Sequence, residues 1–242
     1  MIKPGWPAPS HIIAGVTDRK GGVSEGSYAS NNLAMHVGDN PEHVQQNRDR
    51  LDQALPGNKQ WQWLEQVHGI DVIHAPTGKV EVGDASYTNK PGVVCTVLTA
   101  DCLPILLCDR EGKEVAAVHA GWRSLCAGVI EEAVSCFSAK PENILSWMGP
   151  AIGPQQFEVG EDVVLAFKQA NCGEQSVKAF SSIGNGKYLA DIYELGRIRL
   201  RSLGINAIYG GGLCTVTDKE YFYSFRRDNV TGSMASFVYI NC

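Results

Sequence analysis

The apolar positions of this chain cluster most densely in "GVVCTVLTADCLPILLCDREGKEVAAVHAGW", residues 92–122. That stretch divides into three short β-rich runs, broken at Ala100-Asp101-Cys102 and at Arg110-Glu111-Gly112. Upstream, "HIIAGVTDRKGGVS" predicts a strand entering a glycine-marked turn, and "WQWLEQVHGIDVIHA" predicts strand, tight turn at His68-Gly69, then strand. "NILSWMGPAIG" predicts another strand, and "YFYSFRRDNVTGSMASFVYI" a C-terminal hairpin. Helical spacing occurs elsewhere. In "DNPEHVQQNRDRLDQAL", Asp39 or Asn40 can cap, Pro41 suits the first turn, and Val44, Leu51 and Leu55 share a face. "SLCAGVIEEAVSCF", "GEDVVLAFKQA" and "YLADIYELGRIRLRSLG" predict three more helices, the last stopped by Gly204.

Strands outnumber helices and often follow one another directly, so strict βαβ alternation fails. An α+β fold with mixed or largely antiparallel sheets and helices packed outside is expected. No repeat, low-complexity tract or linker divides the sequence, so residues 1–242 are expected to form a single domain.

Composition narrows the function classes. Hydrophobic content of 44% and charged content of 19% are ordinary globular values. The net charge is −5, from 21 Lys+Arg against 26 Asp+Glu, without a basic run, which argues against a nucleic-acid partner. The segment "MIKPGWPAPSHIIAG" lacks the apolar core of a signal peptide, and no run approaches the ~18 apolar residues of a membrane span. A cytoplasmic location is therefore expected, with no membrane partner. In that compartment the 8 cysteines should stay reduced, and Cys95, Cys108, Cys126 and Cys136 read as small core residues.

"VAAVHAGWRS" raises the chemical question, because a buried-looking strand ends on His119. Either the imidazole is a core group bonded to a carbonyl, or it is held at the strand end to bind something. His68 lies in a turn after a strand and Cys102 in a break between strands, so all three residues could meet at one sheet rim. Two imidazoles and a thiolate suit zinc, and three ligands leave a fourth position for water or substrate. Asp101 either forms its turn or hydrogen-bonds a ligand imidazole. Arg123, before a helix start, is either an anion contact or a surface residue. Arg19, ahead of Gly21-Gly22, is a second candidate for holding a phosphate. Arg226 and Arg227 lie in the predicted hairpin. Gly22-Val23-Ser24-Glu25-Gly26 matches the nucleophile-elbow pattern, but the following residues carry little helical periodicity, which argues against a serine hydrolase.

The motifs "EQVHG", "TADCLP", "AVHAGWR" and "MGPAIGP", with "DRKGGVS" upstream and "FRRD…TG" downstream, resemble the laccase-domain (polyphenol oxidoreductase) family over nearly the whole chain. The resemblance implies one domain with two mixed β-sheets packed face to face and helices outside, a four-layer α/β/β/α arrangement. It also implies zinc held by His68, Cys102 and His119, with copper as a possible substitute. The implied substrates are small: a purine nucleoside and phosphate. The implied activities are phosphorolysis of adenosine, inosine and methylthioadenosine, and deamination of adenosine; the catalytic candidates remain Arg19, Asp101 and Arg123, chosen from their positions in the chain. Some family members are described instead as hydrolases that edit serine-containing peptidoglycan precursors. A non-catalytic metal-binding protein is a third expectation; it would need a closed site that recruits His36 or Cys95.

Two positions depart from the family pattern: Ser124 follows "HAGWR" where glycine is frequent, and Ser233 stands in "TGSMAS" where an arginine is common. A true multicopper oxidase needs about ten histidines in His-x-His pairs; this chain has 6 and no such pair. Copper at an N/S site of this kind would be a tight-binding substitute.

Overall fold

The computed structural model describes residues 1–241. Two large sheets carry the fold. One has four strands in the order Ile12–Val16, Met234–Ile240, Val93–Thr99, Gln60–Gln62. Its first three strands pair antiparallel and the last joins parallel. The other has six, in the order Ala207–Gly210, Ile144–Met148, Leu103–Asp109, Val115–Ala120, Ala85–Thr88, Val72–His74. Both edge pairs are parallel and the interior pairs antiparallel, so the sheet is mixed as expected.

Alternation along each strand builds the layers. Cys95 and Val97 face inward with Leu106, Cys108, Val115, Ala117, Met234 and Val238, filling the space between the sheets. Val94, Leu98, Ala235, Phe237 and Tyr239 face outward against Leu51 and Leu55, at the C-terminal end of helix Pro41–Gln53. Leu103, Ile105, Leu107, Ala116 and Val118 face the other way, onto helices Val129–Ser135 and Ile192–Ser202. The result is the α/β/β/α stack. Central strands buried on both faces also explain why residues 93–120 read as nearly continuous apolar sequence rather than alternating.

Asn40 caps the first helix by accepting from the Glu42 amide, and Pro41 occupies its first position. The helix expected over residues 124–137 is broken in two by Gly128 at φ 110, giving Trp122–Ala127 and Val129–Ser135. The helix expected from Tyr188 starts at Ile192, capped by Asp191; residues Lys187–Ala190 instead pair in a small sheet with Glu158–Gly160 and Phe180–Gly184.

The C-terminal hairpin does not form. Phe225–Asp228 is a short helix, and Met234–Ile240 pairs with the distant strands Ile12–Val16 and Val93–Thr99. The long-range partners bury both faces of Met234–Ile240, which a two-stranded hairpin could not do. Strand Ala85–Thr88 escaped the sequence reading, because Ala-Ser-Tyr-Thr carries no clear apolar period. The two strands flanking His68 are not partners either; Leu64–Glu65 pairs with Glu81–Val82, and Val72–His74 with Ala85–Thr88.

Candidate metal centre

The break at Ala100-Asp101-Cys102 is the place where the chain leaves the four-stranded sheet and enters the six-stranded one. The crossing is sharp: Asp101 takes φ 101, a backbone state rare for a residue with a side chain. Cys102 is thereby delivered to the rim between the sheets. His119 reaches the same rim from the neighbouring strand, where Pro104 is its register partner. It shares its strand face with Val115 and Ala117, the face that looks into the inter-sheet core.

His68 arrives from a turn in which it adopts φ 60. The amides of Val67, His68 and Gly69 all point at the Asp84 carboxylate, at 3.2, 2.9 and 2.6 Å. Three successive N–H groups around one carboxylate form an anion nest, and its anion is a side chain of the protein. Asp84 also binds the His119 ring, with Nδ1 2.7 Å from Oδ1, and its carbonyl accepts from the His119 amide at 2.7 Å. An ionised carboxylate can only accept, so Nδ1 carries a hydrogen, and Nε2 is the atom that would bind a metal, which displaces any proton held there. One fully buried acid therefore fixes both the turn of the first histidine and the ring of the second.

The donor atoms of His68, Cys102 and His119 all lie within 4.8 Å of one another, and His68 Nε2 is 3.7 Å from Cys102 Sγ. Donors at about 2.0–2.3 Å from a common tetrahedral ion sit roughly 3.5 Å apart, so the cluster suits a metal after small adjustment. Gly121 makes the approach possible: a Cβ there would stand 2.6 Å from the His68 ring and 3.1 Å from Cys102 Sγ. Burial works to raise the Cys102 thiol, but the imidazoles, His119 first, outweigh it and bring it down towards the thiolate a metal needs. Burial works to lower His119, but Cys102 and Asp84 outweigh it and raise it. For Asp84, the opposing hydrogen bonds and the His119 charge likewise overcome burial and hold the carboxyl low.

The cluster forms part of the wall of a cavity of about 710 Å³. Arg123 lines it, its guanidinium lying 4.3 Å from the centroid of the Trp122 ring. Arg226 lines it too, anchored by Nη1 to the carbonyls of Gln156 and Glu158. Among the described residues neither makes a salt bridge, so both cations are available to an anion.

Other candidates are placed differently. Arg19 is not in the cavity lining; its guanidinium donates to the carbonyls of Ala29 and Lys219 and rests on Tyr223, holding the N-terminal loop. Asp101 lines the cavity, but its carboxylate accepts from Thr215 Oγ1 at 2.5 Å and from the Arg226 amide at 2.6 Å. The acid beside the imidazole is Asp84, which the sequence reading missed. Its only local signal is an aspartate directly before a short strand.

Arg227 ties down its own loop through the carbonyls of Thr215, Val216 and Phe222. Ser124 is buried and donates to the carbonyls of His119 and Gly121, and Ser233 lines the cavity. Cys95 lies in the inter-sheet core, its thiol pushed up to about 12 by burial, and His36 lines the cavity without belonging to the three-donor cluster. Ser24 is buried, accepts from Asn47 and precedes a 3-10 turn at Gly26–Tyr28, so no elbow is built around it.

Comparison with known proteins agrees with this fold. A family model described as multi-copper polyphenol oxidoreductase laccase matches residues 13–241. The chain is 54% identical over 245 residues to purine nucleoside phosphorylase YfiH of Escherichia coli strain K12, covering 99% of this chain and 98% of that one. It is 48% identical over 240 residues to purine nucleoside phosphorylase PA4543 of Pseudomonas aeruginosa, with 99% and 98% covered. The crystal structure of Neisseria meningitidis protein NMB0706 superposes with a TM-score of 0.95 at 42% identity, covering 100% of this chain and 99% of that one. YlmD from Geobacillus stearothermophilus gives 0.90 at 31%, covering 98% and 95%. With the match spanning both sheets and all three members of the His–Cys–His cluster, the chain belongs to the multi-copper polyphenol oxidoreductase laccase family.

Proposed function

We propose that this protein is a zinc-dependent purine nucleoside phosphorylase, acting on adenosine, inosine and methylthioadenosine, with adenosine deamination at the same centre. The observation that carries the reading is the sharing of one cavity by a three-donor N/S cluster and two unpaired arginines, in a chain whose relatives bear that name. Oxidase chemistry with several coppers finds no support, since among the described residues a single such cluster occurs. Zinc is favoured by the donor set of two imidazoles and one thiolate. When bound, it supplies Lewis acidity to an oxygen of substrate or water.

The chain's own residues supply the rest. Phosphorolysis joins a phosphate oxygen to C1′ of the ribose and breaks the C1′–N9 bond; the electron pair leaves with the purine, which also takes up a proton. Arg123 and Arg226 hold the phosphate dianion, Arg replacing the hydration that the cavity removes. Asp101 acts through Arg226, fixing the backbone that carries it. Arg19 keeps the N-terminal loop in place and lies outside the cavity lining.

Incubating the zinc-loaded protein with adenosine, with and without phosphate, tests the reading. Adenine and ribose 1-phosphate are expected only when phosphate is present, and inosine in both cases. No product under either condition would refute it. Replacing Arg123 by methionine should raise the KM for phosphate roughly ten- to hundred-fold, the worth of a charge-assisted hydrogen bond, while the KM for nucleoside changes little. Equal changes in both constants would remove Arg123 from the phosphate site.

A further inference from the structure

Phe225 is 61% exposed, more than any other large hydrophobic side chain among the described residues. It lines the same cavity as the metal cluster. A lone exposed aromatic on a mobile loop would mean little, but the helix Phe225–Asp228 is fastened from several sides. Ser224 caps it by accepting from the Arg227 amide, and Arg227 donates in turn to the carbonyls of Thr215, Val216 and Phe222. The third tie is Asp101, whose carboxylate holds the Arg226 amide. Asp101 is also the neighbour of Cys102, so the segment that places a metal ligand also places this aromatic ring.

We propose that Phe225 is the platform on which the purine base of the substrate stacks. The inference rests on the nucleoside reading above and deepens it. A nucleoside and phosphate offer three chemically distinct parts, and only the base has a π face to set against a phenyl ring. The adjacent Arg226 belongs to the phosphate side, so one short helix presents both ends of the reaction: a ring for the leaving base and a cation for the incoming anion. Asp101 is a positioning residue for this wall. Its strained backbone at φ 101 and its two hydrogen bonds set where the helix stands relative to Cys102.

Calorimetric titration of the zinc-loaded protein with adenine and with adenosine tests the assignment, in the wild type and in Phe225→Ala, Phe225→Leu and Phe225→Tyr. Base stacking on an aromatic ring leads to an expected loss of roughly ten-fold or more in affinity for both ligands in Phe225→Ala, with Phe225→Tyr within about two-fold of wild type. Phe225→Leu, which restores apolar bulk without a π face, should stay close to the alanine variant. The KM for phosphate should be unchanged throughout. Leucine equal to phenylalanine would overturn stacking, and so would an alanine variant of wild-type affinity. Binding read this way does not require turnover. If the wild type binds adenine, Phe225→Ala loses it and no nucleoside is converted, the proposed reaction fails while the platform stands. If the wild type binds no purine, the platform fails whatever the reaction.

Discussion

Cys102→Ala and His119→Ala should each give a folded protein that has lost both its zinc and its activity. Removing one of three donors leaves two, too few to hold the ion against dialysis at the affinities of catalytic zinc sites. The Lewis acidity lost is worth several kcal/mol in the transition state, so turnover should fall on the order of a thousand-fold. Cys102 is partly buried at the rim, and without the His119 ring Asp84 still accepts from three amides, so both variants should keep the fold. Metal content after dialysis, measured beside product formation from adenosine and phosphate, checks both halves. A zinc-free variant with full activity would separate the cluster from the chemistry.

Asp84 should show the second large effect, and its two substitutions should differ in kind. Alanine removes the acceptor of four donors in a fully buried place: the amides of Val67, His68 and Gly69 and the His119 ring. Uncompensated buried partners of a charge cost about 3–5 kcal/mol. For a chain of this length, that is a melting temperature lower by roughly 6–20 °C. Asparagine keeps the shape and one acceptor oxygen, so the fold should suffer less. Its amide, however, presents hydrogens towards His119 Nδ1 and favours the tautomer protonated on Nε2, the atom that must be bare to bind metal. Zinc affinity should therefore drop roughly ten- to hundred-fold in Asp84→Asn, as is usual when the partner of a ligand histidine is lost. Wild-type zinc affinity and melting in both variants would mean that Asp84 holds neither histidine.

The double role of Asp84 also bears on how the site evolves its precision. The nest of three amides costs nothing in side-chain entropy, because the turn itself supplies the donors. The His68 turn and the His119 ring cannot then shift independently, and a metal meets donors already aligned.

Much of this protein was legible in the sequence because the information was local. The three apolar runs of residues 93–120, the Asn40 cap and Pro41 of the first helix, and the stop at Gly204 follow from neighbours a few positions away. The motifs around His68, Cys102 and His119 were equally local, since each of these candidate donors sits at a strand end or turn that its own segment specifies. What only the tertiary structure decided was non-local. Met234–Ile240 found its partners at the chain's beginning and middle, and the hairpin predicted from adjacent residues lost to pairings that bury both faces. Asp84 gives no periodic signal, and its meaning arises only where pairing within the six-stranded sheet brings the His68 turn and the His119 strand end against one carboxylate. The placement of Arg19 and Arg226 was non-local for the same reason. A guanidinium binds whatever acceptors surround it: Arg19 is met by carbonyls of its own loop, whereas Arg226 is carried by Asp101 to the cavity. Residue type and spacing set which chemistry was available to this chain; long-range burial and hydrogen bonding set which side chains were left free to perform it.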